Sequence, residues 1–201
     1  MKNDAHFKYF FIDTTDREFF GQYVKLRRRV YLTEYPWLAE DFGYEDETDR
    51  VSRLVVAVGN DGIVAGGARL TISTPKCPRR MPLEEADFRL RDCEFLYNLN
   101  LDRKPYGEIS RMAADPECAK PFELSWGLGN ALCAGAAREG LDVVLSICPE
   151  LPARINQRNA KRRGVGFHRY AEVPTVFGKR MWLCAFTGLL LVYGNGEREA
   201  A

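Results

Sequence analysis

From Thr15 to Tyr31 the apolar residues Phe19, Phe20, Tyr23, Val24, Leu26, Val30 and Tyr31 return every three or four positions, the period of a helix with one buried face. Thr15 or Asp16 supplies an N-cap, and the stretch Lys25 to Arg29 makes the C-terminal turn basic. Residues 32–50 follow no period over most of their length. They mix acids with Tyr35, Trp37, Phe42 and Tyr44, carry Pro36 and Gly43, and read as a long ordered loop with a functional role. Arg53 to Val58, the turn residues Asn60, Asp61 and Gly62, and the run from Ile63 to Ser73 predict a hairpin, with a bulge at Gly66 and Gly67.

A Pro- and Arg-rich connector covers 75–82, and a mixed stretch runs on to Pro105. Gly107 to Ala114 then reads as a third strand stopped by Asp115-Pro116. A helix from Pro121 to Glu139 closed by Gly140, a strand from Val143 to Ile147 and a helix from Glu150 to Arg163 closed by Gly164 follow. A terminal β region runs through Val192, and a frayed tail occupies 194–201. The apolar run Met181 to Tyr193 is broken by Thr187 and Gly188 and is shorter than the ~20 residues of a membrane-spanning helix. This order of elements implies an α/β sandwich with a mixed central sheet and leaves several such folds open.

Composition narrows the classes. A length of 201 residues suits one domain, and 46% hydrophobic with 28% charged residues excludes wholesale disorder and fibrous architecture. Lys plus Arg number 29 against 28 Asp plus Glu, so no whole-surface attraction draws nucleic acid or anionic lipid; any basic surface is local. The six cysteines, at 77, 93, 118, 133, 148 and 184, form no C-x-x-C pair, and His6 and His168 are the two histidines. A structural zinc site is therefore not expected. Reduced cysteines and the lack of an N-terminal apolar segment lead us to expect a cytoplasmic protein. His168, beside Phe167 and Tyr170, reads as a structural or surface residue, and no Ser, His and Asp ordering supports a hydrolase.

Charges on elements that should be internal carry the chemistry. Arg69 lies inside Gly66-Gly67-Ala68-Arg69-Leu70, and Glu108 and Arg111 lie on one strand. Strand residues three apart share a face only where the strand is kinked, so a kink is expected between them. Internal charges need partners, and Asp46 and Asp49 in the acidic loop are the natural ones for Arg69 and Arg111; placement on an edge or the surface is the alternative.

These residues carry a resemblance. Leu26-Arg27-Arg28-Arg29-Val30-Tyr31, with Trp37 six residues on, resembles the L-R-x-x-V-F…W pattern of the LuxI-type acyl-homoserine-lactone synthases. Their D-x-x-D pair stands as Asp46-Glu47-Thr48-Asp49, their G-x-x-R-L as Gly66 to Leu70, and their E-x-S-R as Glu108 to Arg111. The matches run in order from residue 26 to 111. Tyr31 replaces the family's Phe, Tyr106-Gly107 stands where Trp commonly precedes the Glu, and the connector 75–83 is more basic than usual, departures that touch the acceptor pocket. The related N-acyl amino acid synthases share the fold and the carrier-bound donor but acylate a free amino acid such as tyrosine.

The resemblance implies a single acyltransferase domain over 1–201 with a GNAT-like (acyl-CoA N-acyltransferase-like) three-layer sandwich, residues 1–50 forming an N-terminal helix and lid. In it an amine attacks an acyl thioester. An α-amino group with pKa near ~8 is largely protonated at neutral pH and needs a base, for which Glu108 is the candidate. Backbone N–H groups at a bulged strand would stabilise the tetrahedral intermediate near Met112, Ala113 and Ala114. Asp46 would hold the acceptor's ammonium, and Asp49, Arg69 and Arg111 would fix Asp46 and Glu108. Arg27, Tyr31 and Trp37 would belong to a lid over S-adenosylmethionine, which the lactone synthases acylate and then lactonise with release of methylthioadenosine. A helix simply packed on the domain by its aromatics is the plain alternative.

No tightly bound cofactor is expected. Acetyl-CoA enzymes of this fold carry a Gly-rich turn after the central strand to hold a pyrophosphate, whereas Asp115 to Pro121 contains no glycine, which disfavours coenzyme A. Arg154, Arg158, Lys161, Arg162, Arg163 and Arg169 form one basic stretch, and Lys76, Arg79 and Arg80 another, suited to docking an acyl carrier protein. The expected function is transfer of an acyl group from acyl carrier protein to S-adenosylmethionine with lactonisation, the synthesis of a quorum-sensing signal. An N-acyl amino acid synthase, a coenzyme A-dependent acetyltransferase and a non-catalytic acyl- or carrier-binding module are the alternatives.

Overall fold

A computed structural model describes residues 7–37, 43–86, 90, 97–173 and 180–194. Phe42, His6, Cys93 and the tail 195–201 lie outside the described residues. The chain divides into two compact units, Met1–Leu70 with Arg111–Leu132, and Thr71–Ser110 with Cys133–Ala201. Among the described residues seven strands, β1 (Lys8–Ile12), β2 (Arg53–Val58), β3 (Val64–Ser73), β4 (Tyr106–Ala114), β5 (Val143–Pro149), β6 (Gly166–Val173) and β7 (Met181–Thr187), follow the order β1-β2-β3-β4-β5-β7-β6 in a mixed sheet, parallel at β4–β5 and antiparallel at β1–β2, β2–β3, β5–β7 and β6–β7.

In the first unit, β1 (Lys8–Ile12) pairs with β2 (Arg53–Val58), and β2 with β3 (Val64–Ser73). The N-terminal strand is an element that the hydrophobic pattern did not reveal. Helix α1 (Arg17–Glu34) starts at Asp16, whose carboxylate accepts from the Phe19 amide, and runs a turn beyond Tyr31. Its apolar face, Phe20, Tyr23 and Leu26, packs with Ile12, Leu54, Val56, Val58 and Val64. The bulge of the hairpin does not fall at the glycines. The register slips at Ala57/Val58, opposite Ala65, while Gly66 and Gly67 keep regular partners. They are needed for close approach instead: a Cβ at Gly67 would lie 2.6 Å from the Tyr23 ring, and one at Gly66 2.9 Å from Leu128.

Strand β4 (Tyr106–Ala114) is regular up to Ser110, but Arg111 has φ +54°, so the expected kink is present. Helix α3 (Pro121–Arg138) follows; the four-residue helix α2 (Glu47–Arg50) belongs to the acidic loop. The second unit holds β5 (Val143–Pro149), α4 (Glu150–Arg163), β6 (Gly166–Val173) and β7 (Met181–Thr187). Gly164, at φ +75°, closes α4 in the left-handed conformation that glycine adopts without penalty. Met81, Leu83, Leu90, Val143, Leu145, Val173, Met181, Leu183 and Ala185 form its main core.

The expected β run through Val192 ends early. Gly188 turns the chain at φ +74°, and Leu189–Tyr193 is a short helix, α5. The described cysteines are free thiols, and the Cys148 and Cys184 sulfurs lie 3.6 Å apart. No helix among the described residues is long and apolar enough to cross a membrane, and no group of three or more His, Cys, Asp or Glu among them is placed to hold a metal.

Candidate functional site

The D-x-x-D pair has a local reason to fold as it does. Asp46 is the N-cap of α2 and accepts from the Asp49 amide at 2.9 Å, while Asp49 accepts from the Asp46 amide at 3.1 Å. This reciprocal capping box satisfies two orphan donors of a helix too short to stand alone. It also fixes both carboxylates, and three arginines converge on them from α1, β3 and β4.

Arg27 binds Asp49 bidentately, at 2.9 and 2.8 Å, and donates to the Gly43 carbonyl at 2.8 Å and to that of Tyr44. Arg69 donates to Asp46 at 2.6 Å and to Asp49 at 3.2 Å. The Arg111 guanidinium lies 3.6 Å from the other Asp46 oxygen. Three guanidiniums thus share two carboxylates. Burial alone would push the Asp49 carboxyl up, but the hydrogen bonds and charge of Arg27, the Asp46 amide and Arg69 hold it below the ordinary carboxylate range. Burial likewise opposes the charge on Arg27, and its bonds to Asp49 raise its pKa nonetheless.

Exposure separates scaffold from surface within this set. The side chains of Arg27 and Asp49 have no solvent contact and that of Arg69 is 1% exposed, whereas Asp46 is 33% and Arg111 18% exposed. Asp46 and Arg111 therefore present an anion and a cation side by side to whatever approaches. Arg27, which the resemblance assigned to a lid, is enclosed, and its donors are committed to α2 and the loop before it. The helical period held the signal: Arg27 follows the buried Phe20 by seven residues and so falls in the apolar stripe of α1.

Tyr31, half-buried, donates to the Met112 carbonyl at 3.4 Å, and Tyr31, Tyr35 and Trp37 form a chain of ring contacts at 6.1 and 5.7 Å that ends on the largely exposed Trp37. Burial raises the Tyr31 phenol, against the opposing charges of Arg111, Arg27 and Arg69. Met112 is exposed, Ala113 buried and Ala114 half-buried. Arg111 sits in the left-handed region, which costs a non-glycine residue roughly 1–2 kcal/mol. Its carbonyl accepts from the buried Tyr23 hydroxyl at 2.6 Å. In the sequence Tyr23 stands out only as a member of an apolar stripe.

The second unit holds the other candidates. Glu108 is 3% exposed, and its carboxylate accepts from the Leu83 amide at 3.0 Å. On α4, Arg154, Arg158, Lys161 and Arg162 are exposed and Arg163 half-buried; Arg154 pairs with Glu150 at 2.7 Å. Arg169 also pairs with Glu150 and lies 4.2 Å from the centre of the Trp182 ring.

No family model and no curated protein matches the sequence. Solved structures do. The acyl-homoserine-lactone synthase LasI superposes with a TM-score of 0.60 at 15% identity, over 94% of this chain and 96% of its own. BjaI, a CoA-dependent acyl-homoserine lactone synthase solved with SAM and isopentyl-CoA, gives 0.62 at 15% identity over 94% and 86%. FeeM, an N-acyl amino acid synthase from uncultured soil microbes, gives 0.57 at 13% identity over 91% of both chains. The chain therefore has the α/β, GNAT-like fold of these synthases, the fold that the motifs between residues 26 and 111 implied.

Proposed function

We propose that this protein is an N-acyltransferase of the acyl-homoserine-lactone synthase type, which moves an acyl group from an acyl carrier protein thioester to the amine of S-adenosylmethionine. The observation that carries the reading is the half-exposed Asp46–Arg111 pair, held by wholly buried Arg27 and Asp49. A carboxylate beside a guanidinium is the complement of an α-amino acid head, ammonium to Asp46 and carboxylate to Arg111. The aromatic chain ending on Trp37 suits a sulfonium or adenine, which favours S-adenosylmethionine over a simple amino acid.

In this reading Glu108 accepts the amine's proton, the nitrogen forms a bond to the thioester carbonyl, and the tetrahedral oxyanion is met by N–H groups at the β4 kink. Collapse breaks the carbon–sulfur bond and releases the carrier thiol, which takes up a proton. The acylated acceptor's carboxylate then displaces methylthioadenosine to close the lactone.

The donor assignment draws on the turn after β4. Glu117 donates to the Asp115 carboxylate and Cys118 to the Asp115 carbonyl, both at 3.1 Å, and residue 121 is a proline without an N–H. Two backbone donors of this turn are thus engaged and a third position has none, which together with the lack of glycine there supports a carrier-protein donor over coenzyme A. The exposed cations of α4 would dock that acidic carrier. On this reading the reaction needs no bound cofactor and takes place in the cytoplasm.

The test incubates purified protein with acyl carrier protein thioester and either S-adenosylmethionine or mixed amino acids, and identifies products by mass. Acyl-homoserine lactone with methylthioadenosine is the expected result. An acylated amino acid without methylthioadenosine would replace this reading with the N-acyl amino acid synthase. Glu108→Gln is expected to lower turnover by about 10²- to 10⁴-fold.

A further inference from the structure

Two hydroxyls of one helix close on two consecutive carbonyls of one strand. Tyr23 donates to Arg111 O at 2.6 Å and Tyr31 to Met112 O at 3.4 Å, both from α1. In a regular strand successive carbonyls point to opposite sides. Here the left-handed Arg111 turns the peptide that follows it relative to the one before, and both carbonyls beyond the turn are met by the same helix. With no cis peptide among the described residues, the N–H groups of Met112 and Ala113 point opposite to those carbonyls, away from α1.

We propose that Tyr23, seconded by Tyr31, is a positioning residue that clamps the β4 kink and so aims the Met112 and Ala113 N–H groups at the oxyanion of acyl transfer; the catalytic part of this rests on the acyltransferase reading above. Tyr23 is built for a fixed position. It is wholly buried, its ring lies where a side chain at Gly67 would stand, and Arg27 packs over its face at 5.1 Å. Burial pushes its phenol up to about 12, so it remains a donor across the physiological range. Without the hydroxyl, a part-buried carbonyl loses this hydrogen bond and the strained residue is freer to relax.

The experiment measures amide hydrogen exchange and steady-state kinetics on Tyr23→Phe and Tyr31→Phe in the full chain. Tyr23→Phe keeps the ring and is expected to speed exchange at Met112 and Ala113 about tenfold with α1 amides unchanged. It is also expected to lower kcat about tenfold with both KM values within about twofold. Tyr31→Phe gives a smaller change of the same kind and serves if the first variant does not fold. In an Arg111→Gly background the kink needs no clamp, so Tyr23→Phe should add less than about twofold to exchange there. Unchanged exchange at 112 and 113, equal acceleration in the glycine background, or faster exchange with unaltered kcat each overturn the proposal. If the unmodified protein acylates no amine, the acyltransferase reading falls and takes the oxyanion role with it, while exchange still decides whether the clamp exists.

Discussion

In the first unit Arg27 and Asp49 meet with no solvent contact, and every nitrogen of that guanidinium faces a named oxygen. In the second unit Glu150 and Arg154 make an ion pair of similar length, 2.7 Å, on the open face of α4. Distance does not distinguish them; water does. An enclosed charge that loses its partner cannot turn to solvent, whereas an exposed one exchanges a side chain for hydration at little cost. The same residue types therefore serve as a rigid frame in one place and as an adjustable surface in the other.

The largest expected effect comes from breaking the enclosed pair. Asp49→Ala strands Arg27 and should cost about 3–5 kcal/mol of unfolding free energy by chemical denaturation. Next, Asp46→Asn sits at the exposed edge of the same network. Its amide oxygen still caps α2, so it should cost only about 1 kcal/mol through the weakened hydrogen bond from Arg69 yet lower turnover at least about tenfold, which separates the binding surface from its support.

The third effect is one of pH. The folded-state pKa of Asp49 is depressed, so its contribution is complete above the unfolded value of about 3.9 and is lost as pH falls through the lower folded value. Urea midpoints should drop as pH is lowered below about 4, and Asp49→Asn should flatten that dependence. Smallest, Arg154→Ala should leave the melting temperature where it was. Reversing Arg158 and Arg162 should instead raise KM for the carrier protein in a salt-dependent way, and a KM indifferent to both would remove α4 from the docking surface.

Much of this contrast is legible in the sequence alone. Capped helices declare themselves: α4 begins at Glu150 and ends at Gly164 as read, because a left-handed glycine is a strong stop. The strand Lys8–Ile12 was not legible, since Tyr9, Phe10 and Phe11 are consecutive aromatics without alternation and only Ile12 is buried. Leu189–Tyr193 reads as strand for a related reason: five apolar residues in a row have no period, and Gly188 decides where the backbone turns. At the site, the carboxylates and arginines stood out because charge inside a sheet is costly. The clamp did not, because an aromatic in an apolar stripe looks like core until its hydroxyl is seen to have a destination.

Gly67 and Tyr23 impose an order on how this protein can change over generations. The ring fills the space that any side chain at 67 would need, with atoms 2.6 Å from where a Cβ would sit. Enlarging position 67 therefore needs the ring at 23 to shrink first and β2 to shift as well, since the Val55 carbonyl lies 2.9 Å from that Cβ, and the reverse path crosses an intermediate with two groups in one volume. Homologues that carry a bulkier residue at 67 should already have lost the tyrosine.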